Sequence, residues 1–415
     1  MNLIKKINTC CFLCILFFML FECLIGHTVL EPMIRLRTAS YLFLFISTFF
    51  VFRKKLPRLC NVSFIFFVTY YVIVGVFDFF AFLNLKNING FIVYKQMFLF
   101  LLLFYVYYFL EETSTLTYSK AKKYLVIFAG CFVVINMIGY FIDSPIWQDP
   151  RVPGRIGRGY ATLDVITLTY SYIILLMDDR LRLNCKLHFV LMLLIPIGII
   201  SLASGTGMFT LGLTVVIFLL SCLRTANFYD KMKNQFLQSM IILSVLLAIG
   251  WGILLREVPI VAETLVSNVE NRIGVMLEGK KYEGEINTVE WREDQYDYIT
   301  KKFFTSHWDN LFGIGFSKVN FSDTRDSNSV YIENQYNLNL VTLGIVGSVL
   351  FIFSLLEICF RAYKLSANPR RFMYYVAMMI FAASCYTIVP MQTFSVLSYF
   401  SLFLAMFYRE SRKYC

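Results

Sequence analysis

Apolar positions in this chain come in long unbroken runs, and polar positions come as short interruptions between them. The runs are about 17–25 residues long, which is what an α-helix needs to cross a hydrocarbon core about 30 Å thick. They predict helices over 7–25, 36–52, 61–83, 92–110, 124–142, 162–177, 187–203, 207–223, 236–255, 334–360, 372–389 and 393–408. A bilayer offers no water to backbone groups, so such runs must satisfy their own N–H and C=O groups as helices. The expected fold class is all-α and polytopic, with about twelve transmembrane helices.

The interruptions alternate in charge. Lys5 and Lys6, Arg53 to Lys55 with Arg58, Lys120, Lys122 and Lys123, Arg180 with Arg182 and Lys186, Arg224 with Lys231 and Lys233, Arg361 with Lys364, Arg370 and Arg371, and Arg409 with Arg412 and Lys413 fall at every second break. The positive-inside rule places these breaks, and both termini, on the cytoplasmic side. Three regions follow: 1–255 with nine helices and an outward loop at 143–161, a large outward loop at 256–333 between helices 9 and 10, and 334–415 with the last three helices and a cytoplasmic tail.

Composition narrows the class. A chain that is 58% hydrophobic and 18% aromatic, with mean hydropathy +0.65, is too apolar for a soluble globule. The net charge of +11 sits in the short breaks, so it reads as topology and not as a nucleic-acid surface. The first run carries Glu22 and lacks a small-x-small cleavage pattern, which predicts a retained signal-anchor helix. The eleven cysteines show no metal-ligand spacing and none lies in the long loop, so they are expected to be small apolar fillers.

Charged residues inside the runs gather near their ends. Glu22, Arg35, Arg37, Asp78, Lys95 and Asp164 are expected near outer ends and Glu357 near an inner end, each snorkelling to the interface. That leaves the midplane without the ionisable groups that ion-coupled carriers keep there. In the long loop, Val261, Leu265, Val269, Ile273 and Leu277 recur every four positions, which predicts a surface helix anchored by Arg256 and Arg272. A second helix is expected to start near Glu290, before the glycine turns of DNLFGIGF. The segment from Ser329 to Phe360 would be about 48 Å long if fully helical, so its head, with Glu333 and Asn334, is expected at or above the outer membrane surface.

Three outward pieces then share one side: RVPGRIGRGY at 151–160, WREDQYDYI at 291–299 and YIENQYNLNLVTLGIVG at 331–347. With the turn Ser204-Gly205-Thr206-Gly207, the G-x-G of Gly313-Ile314-Gly315 and the helix glycines Gly344 and Gly347, their order resembles the superfamily of bacterial O-antigen polymerases (Wzy type) and O-antigen ligases. Ligases characteristically carry a histidine before the asparagine of the last motif, where this chain has Glu333, and many members have serine followed by arginine where it has Ser204-Gly205. Both departures favour the polymerase branch over the ligase.

The resemblance implies a GT-C-like inner-membrane glycosyltransferase with its large loop in the periplasm. Its donor and acceptor would be glycans on undecaprenyl pyrophosphate, its surroundings membrane lipids, and a chain-length regulator protein is among the partners of such enzymes. The outward segments contain no paired-carboxylate D-x-D and Asp178-Asp179 is expected on the cytoplasmic side, so no metal is expected, and no cofactor. The residues suit that chemistry, because permanently charged arginines stabilise the charge that grows as a sugar-phosphate bond breaks. Arg151, Arg155 and Arg158, with Gly157 opening the backbone as an anion nest, are the expected pyrophosphate ligands. Attraction to lipid phosphates is the plainer account of the same arginines.

Arg292 is expected to approach from the long loop, and Glu333 is the expected general base, with Asp326 and His307 as competitors. A solvated carboxylate favoured by the helix macrodipole is the plainer account of Glu333. Asn334, Trp291 and Tyr296 are the expected glycan contacts. A ligase that moves finished glycan to lipid A core, and a flippase of lipid-linked sugars, are the rival functions.

Overall fold

The structure is a computed structural model that describes residues 2–25, 31–52, 61–85, 88–141, 161–178, 183–201, 205–224, 306–316, 334–364, 369–387 and 393–411, with isolated positions at 57, 181, 238, 241, 242, 245, 301 and 304. Among these residues the fold is all-helical, with no strand. The helices are α1 (Asn2–Ile25), α2 (Ile34–Phe52), α3 (Val62–Leu85), α4 (Ile88–Tyr108), the single turn α5 (Leu110–Thr113), α6 (Tyr118–Phe141) and α7 (Ala161–Met177). They continue with α8 (Cys185–Ser201), α9 (Gly205–Arg224), the short α10 (His307–Phe312), α11 (Gln335–Lys364), α12 (Pro369–Thr387) and α13 (Phe394–Ser411).

Every predicted apolar run except 236–255 has its helix here; that run, the predicted surface helix at 258–277 and the helix expected near Glu290 lie outside the described residues or touch them only at isolated positions. Helices α1 and α6 begin earlier than their apolar runs. Their first turns hold Lys5 and Lys6, and Lys120, Lys122 and Lys123, whose long side chains favour helix. By length and composition, Leu3–Glu22, Ile34–Phe52, Tyr118–Ile138 and Gln335–Lys364 are long and apolar enough to cross a membrane.

Two helices are enclosed on all sides. From Val165 to Met177 every residue of α7 is buried, and so is every residue of α13 from Phe394 to Tyr408. Around α7 pack α1, α6, α8, α9, α12 and α13. Its sequence permits this because the hydroxyls of Thr167, Thr169 and Ser171 find acceptors locally. Thr167 and Thr169 each donate to the carbonyl one turn back at 2.8 Å, and Ser171 to that of Thr167 at 3.2 Å. Hydroxyls also join neighbouring helices: Ser171 Oγ lies 2.8 Å from the Tyr399 hydroxyl on α13, and Thr169 Oγ1 lies 3.3 Å from Thr210 Oγ1 on α9. In an apolar surround such bonds are the specific glue between helices, contributing roughly 0.6–2 kcal/mol each.

The peripheral helices are apolar on their outward faces as well. On α11, Ile345, Val349, Ile352, Phe353, Leu356 and Phe360 are exposed, while Gly347, Phe351, Leu355 and Ile358 face inward. On α3, Ile65, Phe66, Ile73, Val76 and Phe77 form a similar exposed row. Rows of this kind on several helices belong in lipid, since soluble monomers rarely expose contiguous apolar patches beyond a few hundred Å².

The helix ends that carry the basic breaks are tied together. Lys122 at the start of α6 forms a buried ion pair with Asp178 at the end of α7, and Arg409 of α13 pairs with Glu112 of α5. Glu357 of α11 accepts from the Ser63 backbone N–H at 3.0 Å and pairs with Arg361 at 2.9 Å. Asn8 of α1 donates to the Thr113 carbonyl at 2.9 Å. Of the charges expected to snorkel at the other end, Arg35 and Lys95 are exposed, whereas Glu22, Arg37 and Asp164 are partly or wholly enclosed. Glu22 pairs with Arg37, whose guanidinium stacks 4.2 Å from the Phe394 ring centre, a pairing that avoids the cost of a lone charge in an apolar surround; Asp164 is buried.

Replacing Lys122 by Met removes a cation paired with the buried Asp178 carboxylate, and is expected to lower stability by about 3–5 kcal/mol. The double replacement Lys122→Met/Asp178→Leu should recover most of that loss. Thermal unfolding of the detergent-purified chain measures both, and a single variant as stable as the parent would refute the pairing.

Candidate functional site

The run from Gln335 to Lys364 is apolar enough to propagate helix throughout, yet it breaks at Gly344, where φ is 67° and ψ is −167°. An unbroken helix was the sequence expectation, and the structure corrects it. From Ile345 to Lys364 the unbroken part is roughly twenty residues, or about 30 Å, enough by itself to span a hydrocarbon core. The half from Gln335 to Leu343 is therefore free to take another direction.

A helix break orphans the last four carbonyls before it, here those of Leu340 to Leu343. In an apolar setting each must find another donor. Residues 314 and 315 supply two of them, and Tyr70 a third. The Ile314 N–H donates to Val341 O at 2.9 Å and the Gly315 N–H to Thr342 O at 3.1 Å. The Tyr70 hydroxyl reaches across from α3, lying 3.0 Å from Leu343 O and 3.3 Å from Phe312 O.

The loop's own N–H groups are all used: Gly313 donates to Asp309 O at 2.9 Å, and Phe316 donates to the Asp78 carboxylate. Upstream, Ser306 and Asp309 form a capping box that starts α10 and fixes the approach of the loop.

Each glycine here has its own reason. Gly313, Gly315 and Gly344 have φ of 80°, 78° and 67°, which side chains disfavour. A Cβ on Gly344 would also lie 2.4 Å from Gly313 N and Leu311 O, and one on Gly313 would lie 2.4 Å from Thr342 O. Gly347 does a different job: a Cβ there would lie 2.2 Å from Leu343 Cβ and 2.9 Å from the Tyr70 ring, so its missing side chain makes room for both. Phe316 then seals the loop, 2% exposed, with its ring centre 4.8 Å from Tyr71 and 5.6 Å from Tyr94.

The freed half-helix carries a polar head. Asn334 caps it, its side-chain oxygen accepting from the Asn337 N–H at 2.7 Å. The Tyr336 hydroxyl donates to Ala382 O of α12 at 2.9 Å. Asn334, Gln335 and Asn339 are buried, so the head is enclosed by protein. Of the expected site residues, Asn334 is thus placed, as a helix cap. Glu333, Arg292, Arg151, Arg155, Gly157, Arg158, Trp291 and Tyr296 lie outside the described residues, as does Asp326. His307 opens α10 and is exposed. Among the described residues there is no cluster of His, Cys, Asp and Glu able to hold a metal.

The loop ending at Phe316 follows the segment that bears Arg292, and Asn334 directly follows Glu333, so both candidate stretches run into anchored backbone. Sequence reading picked out the glycines but missed Tyr70, Asp78, Gln335 and Asn339. The amide-rich run Asn334-Gln335-Tyr336-Asn337-Leu338-Asn339 at the head of an apolar helix was a visible signal for the last two. Comparison of the chain with models of known protein families and with curated proteins returns no match.

Alanine at Gly344 would meet both the backbone strain and the clash, and is expected to cost at least about 1–3 kcal/mol and to release the 313–316 loop. Tyr70→Phe removes only the hydroxyl and should cost about 1–3 kcal/mol by leaving Leu343 O unpaired. Thermal unfolding, with proteolysis of the loop as a second readout, checks both; full loop protection in Gly344→Ala would contradict the lock.

Proposed function

We propose that this chain is an integral inner-membrane glycosyltransferase that polymerises undecaprenyl-pyrophosphate-linked repeat units on the periplasmic face, as O-antigen polymerases do. The observation that supports it is the meeting of two sequence-distant glycine motifs. Gly313-Ile314-Gly315 and Gly344 to Gly347 carry the resemblance by their order, and they form one interlocked piece of backbone. The remainder of the reading is the twelve-helix, GT-C-like topology with both termini cytoplasmic and the 256–333 loop periplasmic.

In this reading Arg151, Arg155 and Arg158, with the backbone opened at Gly157, hold the donor's pyrophosphate. Arg292 adds positive charge to the bridging oxygen as the anomeric C–O bond breaks. Glu333 takes the proton of the acceptor hydroxyl while its oxygen forms the new bond to the anomeric carbon, and the lipid pyrophosphate leaves. The anchored Asn334 cap fixes the backbone next to Glu333. Trp291 and Tyr296 supply stacking faces for sugar rings.

The broken helix favours one other reading, since carriers bind cargo at discontinuous helices. In carriers the freed carbonyls coordinate cargo or ions, whereas here Val341, Thr342 and Leu343 give theirs to the protein itself. That observation ranks the flippase second.

A strain lacking the chain is expected to bear lipid A core with a single repeat unit, read on a gel of surface polysaccharide. Complementation with Arg158→Ala or Arg292→Ala should leave the same single repeat. Complete absence of the repeat would favour the flippase or ligase. Reporter fusions at Glu283 and Lys122 should report opposite sides of the membrane, and the same side at both would overturn the topology.

A further inference from the structure

Gln335 and Asn339 stand one turn apart on the freed half of α11, 3% and 2% exposed. One hydrogen bond joins them, from Gln335 Nε2 to Asn339 Oδ1 at 2.9 Å. Gln335 Oε1 and Asn339 Nδ2 are enclosed and have no partner. Exchanging oxygen and nitrogen on both amides leaves the same remainder, one carbonyl oxygen and one NH2 group, so this holds for either assignment of the amides.

The neighbours are otherwise engaged. Asn334 caps the helix, Tyr336 bonds to Ala382 O, and Thr342 Oγ1 donates to Leu338 O at 2.7 Å. Thus one helical face, held in place by the Gly344 lock, offers an adjacent buried acceptor and donor. Packing does not require them, since apolar side chains of similar volume would fill the space without leaving polar atoms unpaired.

We propose that the Gln335–Asn339 amide pair is a binding site for an uncharged, hydroxyl-bearing ligand, a sugar ring of a lipid-linked glycan. One ring hydroxyl donates to the free amide oxygen and its neighbour accepts from the free NH2. The amides carry no charge and neither is bonded to an ionised group, so a charged headgroup would enter without the countercharge its burial needs. An uncharged ligand that both donates and accepts follows from the amide pair; its identification as a hydroxyl-bearing sugar of a lipid-linked glycan rests on the proposed function.

The test uses the full-length chain purified in octaethylene glycol monododecyl ether, a detergent without sugar. Hexyl maltoside is the probe and hexylphosphocholine, with a similar tail and a charged head, is the comparison. The unfolding temperature of the parent should rise saturably with the maltoside and not with the phosphocholine. Gln335→Met/Asn339→Leu should unfold at the parent temperature or above, and show no saturable rise up to ten times the parent's half-saturating concentration.

Should the double variant not fold, Asn339→Leu alone is expected to raise that concentration about tenfold. No saturable rise in the parent, meaning that water alone fills the pair, would overturn the proposal. So would an equal rise in the variants or with phosphocholine. A chain that binds maltoside while its deletion leaves surface polysaccharide unchanged would remove the polymerase reading and keep this site. A chain needed for polymer that ignores maltoside would do the reverse.

Discussion

Breaking a helix inside an apolar bundle exposes carbonyls that nothing but protein can satisfy, and this constraint governs the region around Gly344. Val341, Thr342 and Leu343 lose their helical donors at the break and regain donors from Ile314, Gly315 and Tyr70. The arrangement is cooperative, because the break has no stable form without the loop and the loop has no docking surface without the break. Residues on α3, α10 and α11 are bound into one unit, with Asp78 holding the far end. Backbone held away from its preferred geometry persists only where its surroundings over-determine it, and here four glycines and a tyrosine do so.

The remainder of the bundle provides a rigid seat for that unit. Helices α7 and α13 are buried on every side and joined by Ser171 and Tyr399, whose hydroxyls satisfy each other. At the end bearing the basic breaks, Lys122 with Asp178 and Arg409 with Glu112 fix helix termini to one another. Helix α12 packs on both α7 and α11, so it links the encircled core to the broken helix. The Tyr336 bond to Ala382 O makes that link specific. A site at the head of α11 therefore stands on backbone tied into the buried core, as a site that must hold a ligand against its own reorganisation requires.

Much of this was legible in the chain before folding was considered. The length of an apolar run is set by bilayer thickness, and the helices follow their runs closely, from 36–52 against α2 to 162–177 against α7. The glycines of Gly313-Ile314-Gly315 and Gly344 to Gly347 were conspicuous because a residue without a side chain inside an apolar helix needs a reason. Their partners were not conspicuous. Tyr70 is one aromatic residue in a helix crowded with them, and Asp78 reads like any interfacial acid. Asn334 reads as a ligand contact until its oxygen is found on the Asn337 N–H.

What the sequence determined by itself is the class: helices sized to a bilayer, charges confined to their ends, and glycines where backbone must do something other than helix. Those follow from local composition, which is a property of consecutive residues. Only the tertiary structure decided that α11 is two helices, that the loop before it supplies the missing donors, and that Gln335 and Asn339 end up enclosed with one donor and one acceptor to spare. Hydrogen-bond satisfaction is a sum over groups that meet in space, and the run from Ser306 to Phe316 and the head of α11 meet only after the chain has folded.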